Sequence, residues 1–300
     1  MKTIVLTGIR EMEMIEKPMP EIQDDKDVLI RMGSIGVCGS DVHYYVSGKI
    51  GSQVVQYPFP VGHEGAGIVE EVGPGVTHVK PGDRIAVEPA MPCGECDQCL
   101  AGRPHTCRKL RFLGCPKQAD GCLSEFIVMP EHSCIPIRDK MTLDQAALSE
   151  PLAIGVYAVQ QSIPMQGAKV GILGSGPIGL SCLMPAKAQS AEKIYVTDKI
   201  DERLELAQKC GAVWTGNPDK QDIVAGIVKE EPLLLDVVFE CCGDQEALDQ
   251  AIAKHQKGMR IYLLALKAPA VAIGVHAFDL VADYKDGVVK AMIEFPGSGE

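Results

Sequence analysis

Positive charge is in short supply in this 300-residue chain. Lysine and arginine number 29 against 40 aspartates and glutamates, a formal net charge of -11 at pH 7. That balance disfavours a nucleic-acid backbone or an anionic membrane as partner, because both repel an acidic protein. Long apolar runs are also missing. No stretch reaches the roughly 20 apolar residues that span a bilayer. The opening Met1-Lys2-Thr3-Ile4-Val5-Leu6 gives way to charged residues too soon for a signal peptide. The expectations are therefore no nucleic acid, no membrane and a cytoplasmic location. Cysteine, by contrast, is plentiful at 12 residues. In a leaderless chain of this length these read as reduced thiols and metal ligands, not a disulfide framework. Length suggests about two domains, and a composition 46% apolar and 23% charged is that of a globular chain able to bury a core.

The stretch from Cys38 to Glu64 organises the first half. Cys38-Gly39-Ser40-Asp41-Val42-His43 opens it and Gly62-His63-Glu64-Gly65 closes it. A thiolate, an imidazole and a carboxylate are donors that suit Zn²⁺. Cys38 follows an apolar segment that reads as a strand, and His63 follows the turn-rich Tyr57-Pro58-Phe59-Pro60, so both sit at element ends. Taken alone, the pair reads equally well as a buried thiol and a core histidine. Short apolar runs around it, such as Val28-Leu29-Ile30, Gly67-Ile68-Val69 and Arg84-Ile85-Ala86-Val87, alternate with Val72-Gly73-Pro74-Gly75 and Lys80-Pro81-Gly82-Asp83. That spacing predicts a mostly β, partly barrel-like domain over residues 1 to about 150. Within it, Cys93-x2-Cys96-x2-Cys99-x7-Cys107 has the spacing of a closed, structural four-thiolate zinc site. Iron–sulfur clusters use short-spaced cysteines too, and the spacing leaves both open. Cys115, Cys122 and Cys134 read as ordinary buried thiols. Glu150, just before Pro151, sits at a helix boundary where the macrodipole favours an acid.

The second half has a βα rhythm. Lys169-Val170-Gly171-Ile172-Leu173 reads as a strand, Gly174-Ser175-Gly176-Pro177-Ile178-Gly179 follows it, and a helix is expected from Leu180 to Gln189. A second strand, Lys193 to Thr197, ends at Asp198. This is the strand–turn–helix–strand context of a dinucleotide fingerprint. The three glycines allow the tight turn, the approach of a pyrophosphate and close helix–strand packing. The helix start offers unpaired N–H groups to phosphates. Asp198 suits the adenosine ribose hydroxyls and repels a 2′-phosphate, which favours NAD over NADP. Lys199 and Arg203 are long enough to reach a phosphate, although they read as a solvated helix start. Further strands are expected at Asp236–Glu240, Met259–Leu264 and 271–275, with helices over Asp201–Cys210 and Asp244–Ala253. The alternation predicts a parallel, doubly wound sheet. Cys241 and Cys242 read as packing residues, and Pro185 is expected to kink its helix.

With these motifs together, the chain resembles the zinc-containing medium-chain dehydrogenases, and within them the sorbitol (polyol, L-iditol, xylitol) group. The resemblance is carried by Gly36–Tyr45, Gly62-His63-Glu64, Gly82–Pro89, the four-cysteine lobe, Ser149-Glu150-Pro151-Leu152 and the Gly174 fingerprint, and covers residues 1 to about 264. It implies an α/β protein with a GroES-like, mostly β catalytic domain (1–153 and 277–300) and a Rossmann NAD-binding domain (154–276). It implies a catalytic zinc on Cys38, His63 and Glu64, with Glu150 as a further ligand or as the partner of zinc-bound water. Simple alcohol dehydrogenases carry a cysteine in place of Glu150. Cys93, Cys96, Cys99 and Cys107 are then the structural zinc site. Gly174, Gly176, Pro177, Ile178, Gly179, Asp198 and Arg203 are expected to bind NAD.

The implied reaction is reversible NAD-linked oxidation of a polyol to a ketose. Ser40 passes the hydroxyl proton towards His43, Asp41 orients His63, and Tyr44 and Phe112 line the substrate cleft. A homotetramer is implied as well. A related zinc dehydrogenase for threonine-like or aromatic alcohols, or a non-catalytic NAD- and zinc-binding protein, are the alternatives. Family members run about 50 residues longer. The shortening is expected between about Leu264 and His276, since Ala277 to Ile293 again looks like the family's C-terminal segment. With Arg260 the last arginine, the family's substrate-side Arg-Tyr pair has no counterpart.

Overall fold

The computed structural model describes residues 1–244, 246–247, 249, 260–263 and 292–294. Two compact units divide the chain, one built on Met1–Glu150 and the other beginning at Pro151. The expected strand at 271–275, the expected shortening between 264 and 276, most of the expected helix at Asp244–Ala253 and most of the 277–300 return segment lie outside the described residues.

The first unit opens with an antiparallel hairpin of β1 (Lys2–Gly8) and β2 (Glu11–Glu16). Next come β3 (Asp27–Gly36), α1 (Gly39–Ser47), the short hairpin of β4 (Lys49–Ile50) and β5 (Gln53–Val54), then β6 (Glu64–Val72) and β7 (Arg84–Val87). β8 (Ala90–Met91), α2 (Asp97–Leu100) and β9 (Arg111–Phe112) surround the four-cysteine lobe. β10 (Phe126–Pro130), β11 (Cys134–Pro136) and α3 (Leu143–Ala147) follow, and α4 (Ser149–Gln161) leads into the second unit. The main sheet is antiparallel in the order β10-β3-β6-β7-β11. Val28, Ile30, Met32, Ile35, Val69 and Ile85 form its core together with Leu6, Tyr45 and Leu123. Truncating one such side chain to alanine costs about 2–5 kcal/mol through lost transfer energy and the cavity left behind.

Register does the functional work in this unit. β3 pairs with β6 so that Gly36 lies opposite Glu64. Cys38 leaves one strand two residues later and His63 enters the other one residue earlier. Two positions 25 residues apart in sequence (63 - 38) therefore meet at one end of one strand pair. Capping stops the chain from extending past that point. Asp41, in the first turn of α1, accepts the Cys38 backbone N–H through Oδ2 at 3.0 Å, which satisfies one of the helix-end donors.

The second unit is a parallel sheet with intervening helices. β12 (Lys169–Leu173), α5 (Pro177–Ala188), β13 (Lys193–Thr197), α6 (Asp201–Cys210), β14 (Trp214–Gly216), α7 (Ile223–Glu230), β15 (Val237–Glu240) and β16 (Arg260–Leu263) follow in order. The sheet order is β14-β13-β12-β15-β16, so the winding reverses between β12 and β15, where open α/β sheets bind their ligands. β17 (Met292–Glu294) pairs with the Ser34–Gly36 end of β3 in the first unit's sheet. At the amino ends of β12 and β13, Glu231 is buried and pairs with Lys169 and Lys193, and the Tyr195 hydroxyl donates to it at 2.6 Å.

One expectation about this unit changes. The helix after the fingerprint starts at Pro177, three residues earlier than expected, because proline at the first helical position lacks only an N–H that would be unpaired anyway. Pro185, where a kink is expected, lies inside α5, which runs on to Ala188. Its missing N–H releases the Ser181 carbonyl, and α4 packs onto that carbonyl through Gly155, where a Cβ would lie 2.0 Å from Ser181 O. Two helix backbones meet there, and a side chain on Gly155 is excluded.

Candidate metal centre and dinucleotide site

The ligand atoms of Cys38, His63 and Glu64 lie within 4.8 Å of one another. His63 and Glu64 are buried and Cys38 is half-buried. Asp41 underlies the group. Its Oδ1 accepts the Gly62 N–H at 3.0 Å and lies 3.3 Å from His63 Nδ1. Burial opposes charge on His63, but Asp41 outweighs it and raises the imidazole well above its ordinary value. Burial likewise resists ionisation of Asp41, and His63 with the two backbone donors overcomes it, so its carboxyl is lowered. With Nδ1 committed to the carboxylate, Nε2 is the nitrogen left to bind a metal. Phe112 packs against the imidazole with ring centroids 5.5 Å apart.

Ser40 and His43 sit three residues apart on α1, both half-buried and on one face. Burial lowers the His43 imidazole, and its Nδ1 is buried with no hydrogen-bond partner among the described residues. Tyr44 is buried, and its hydroxyl donates to Gln53 Oε1 at 2.7 Å. Glu150 stands at the start of α4 and is not part of the three-residue cluster. Buried Cys122, read from the sequence as an ordinary thiol, lies within electrostatic reach of the site. Burial pushes it up well above its ordinary range, and Asp41, Glu64 and Glu150 add to the shift. Nothing in the local sequence around Cys122 signals this, because the proximity is tertiary.

The four lobe cysteines also converge within 4.8 Å. Sγ separations are 3.5 Å for Cys93–Cys107, 3.6 Å for Cys96–Cys99 and 3.9 Å for Cys96–Cys107. A tetrahedron with Zn–S bonds of about 2.3 Å has edges of about 3.8 Å, so the sulfurs already stand at zinc-site spacing. Backbone N–H groups of Cys99 and Arg108 draw the Cys96 thiol down to about 6, whereas burial and then Cys96 push Cys99 up to about 12. The lobe is braced outside by Arg108 on Asp97 and Lys109 on Glu95. Both donor sets fit zinc.

The fingerprint lies at the carboxyl end of β12. Gly174 adopts φ +91°, and a Cβ on Gly179 would lie 1.9 Å from the Gly174 carbonyl oxygen, so the turn admits no side chain there. A Cβ on Gly176 would meet only Arg203 Nη1, at 3.5 Å, which leaves the approach to this backbone open. Pro177 and Ile178 form the first turn of α5. Arg203 corrects the sequence reading: it is buried, 6% exposed, not part of a solvated helix start. Cys241 hydrogen-bonds Cys182, in keeping with packing, but Cys242 is exposed, with Sγ 2.9 Å from Glu240 Oε1.

Comparison with known proteins places this architecture. Residues 24–139 match the alcohol dehydrogenase GroES-like domain and residues 177–292 the zinc-binding dehydrogenase domain. The chain is 38% identical to sorbitol dehydrogenase of Bacillus subtilis (strain 168) over 267 residues, covering 89% of this chain and 75% of that protein. It is 40% identical to D-xylulose reductase A of Aspergillus niger over 218 residues, covering 73% and 61%. An Escherichia coli oxidoreductase/dehydrogenase of unknown specificity superposes with a TM-score of 0.83 at 33% identity, over 91% of this chain and 79% of that one. The fold and the two donor clusters define a zinc-dependent dehydrogenase that uses NAD(H). The chain belongs to the zinc-containing medium-chain dehydrogenases, in their sorbitol dehydrogenase group.

Proposed function

We propose that this chain interconverts a sorbitol- or xylitol-like polyol and the corresponding ketose, with zinc held by Cys38, His63 and Glu64 and with NAD(H) as the redox partner. The observation that carries the proposal is the convergence of those three donors over Asp41, in a chain that also bears a complete fingerprint ending at Asp198. The names of its relatives, a sorbitol dehydrogenase and a D-xylulose reductase, support the substrate class.

Bound zinc supplies Lewis-acid polarisation of the substrate hydroxyl, and bound NAD⁺ accepts the hydride. The chain's own residues do the rest. Asp41 fixes His63 with Nε2 outward. Ser40 Oγ takes the substrate hydroxyl proton and hands it to His43, one turn along the same face of α1. Burial keeps the His43 imidazole neutral and so able to accept that proton. Phe112 holds the His63 ring in place and, with Tyr44, shapes the substrate side. Glu150 sits at the edge of this group as a further acid, while Cys93, Cys96, Cys99 and Cys107 hold a second, structural zinc. Gly174, Gly176, Pro177, Ile178, Gly179, Asp198 and Arg203 receive the dinucleotide. The catalytic domain takes residues 1–153 with a C-terminal return, and the NAD-binding domain starts at 154.

A homotetramer working in the cytoplasm completes the proposal; no described helix is long and apolar enough to cross a membrane. The test is the initial rate of NADH formation with sorbitol, xylitol and a simple primary alcohol. Turnover of either polyol supports the assignment, and turnover of the primary alcohol alone sinks the polyol part.

A further inference from the structure

The Asp198 carboxylate is largely occupied by the chain itself. Its Oδ2 accepts the Ser175 backbone N–H at 2.7 Å and the Ser175 hydroxyl at 3.2 Å. Its Oδ1 accepts the Ile200 N–H at 2.9 Å. A carboxylate offers about four acceptor positions. Oδ2 is thus filled from the fingerprint turn, and Oδ1 keeps a single position for a ribose hydroxyl. Ser175 is buried and Asp198 is half-buried, so the serine hydroxyl meets the carboxylate from the protein side. The strand end is held as well: Gly174 N–H donates to Thr197 O at 2.8 Å and Asp198 N–H to Gly216 O at 3.2 Å.

Resting on the NAD(H) reading above, we propose that Ser175 is a positioning residue for dinucleotide choice. Its hydroxyl and N–H together pin Asp198 Oδ2, so that the carboxylate offers one fixed acceptor to a ribose hydroxyl and a fixed negative charge to a 2′-phosphate. Without the hydroxyl, one backbone N–H remains on each oxygen, from Ser175 on Oδ2 and from Ile200 on Oδ1. The carboxylate then has two restraints in place of three and is held less firmly against a phosphate, which Lys199 and Arg203 would help to neutralise. The hydroxyl's effect is therefore on the ratio of the two dinucleotides, not on affinity in general.

The test is direct binding of NADH and NADPH to the purified full chain, followed by nicotinamide fluorescence, in the parent, S175A, D198A and the double variant. S175A is expected to weaken NADH binding about fivefold while changing NADPH binding less than about twofold, the scale of one ordinary hydrogen bond. In the D198A background, S175A should shift the ratio by less than about twofold, because the two residues act as one unit. Equal weakening of both dinucleotides by S175A, or an unchanged ratio, would overturn the positioning role. A parent that prefers NADPH, with S175A still shifting the ratio, would overturn the NAD(H) reading and keep the role. A parent that binds neither would overturn both.

Discussion

Replacing Asp41 by asparagine tests how His63 is held. The Asp41 carboxylate collects three donors: Cys38 N–H, Gly62 N–H and His63 Nδ1. The residue is 1% exposed, so water cannot replace a lost partner. Asparagine keeps one acceptor oxygen and turns the other into an NH₂ donor. If its oxygen stays with Gly62 and His63, the NH₂ faces the Cys38 N–H, leaving a buried donor unsatisfied at a cost of about 1–3 kcal/mol. The opposite orientation sets two donors against it and is worse. The negative charge that makes His63 a stronger ligand is lost in either case. Together these should weaken zinc binding at the Cys38 site by about 10–100-fold, or about 1.4–2.7 kcal/mol. The assay is competition against a chromogenic chelator, which resolves the weaker of two zinc sites. D41N should release one zinc early and the second at the parent's chelator concentration. Parent-like release of both, from a folded variant, would refute the claim that Asp41 organises the metal centre.

C96S should strip the lobe of its zinc and lower the thermal midpoint while leaving the other zinc in place, as metal analysis and melting curves would show. G179A forces a Cβ to within 1.9 Å of the Gly174 oxygen. It should cost more than about tenfold in NADH affinity by fluorescence titration, since the pyrophosphate turn cannot close around it. Glu231 is drawn down to about 2 by Lys169, Lys193 and Tyr195. Its stabilisation is therefore present above its ordinary value of 4.5 and lost as pH falls through about 2. In urea melts at neutral pH, E231Q should lose about 1–3 kcal/mol. The gap to the parent should close between pH 4.5 and 2, and a gap that persists at the acid end would count against the assignment.

What the sequence revealed depended on distance along the chain. The lobe cysteines are four residues in a 15-residue window, and a local turn suffices to gather them, so spacing alone was informative. The fingerprint is equally local: Gly174 and Gly179 answer to one turn. Cys38 and His63 were ambiguous because what joins them is the β3–β6 register, with Gly36 opposite Glu64, a pairing that no short window encodes. Phe112 reaches His63 only after β9 is in place. Arg203 read as solvated because charged residues open α6, yet the glycine at 176 leaves the space that its guanidinium approaches. Ser175 carried a signal that went unread. Its hydroxyl lies between two fingerprint glycines and meets, 23 residues on, the acid that ends the next strand, because β12 and β13 pair in parallel with Leu173 opposite Thr197.

The most direct test of the central claim is to measure zinc content and polyol-dependent NADH formation in the same preparation of H63A, beside the parent. The account predicts about two zinc atoms per chain and turnover in the parent, and about one zinc with no turnover in a folded H63A. An H63A protein that keeps the parent's zinc and still oxidises polyol would contradict it.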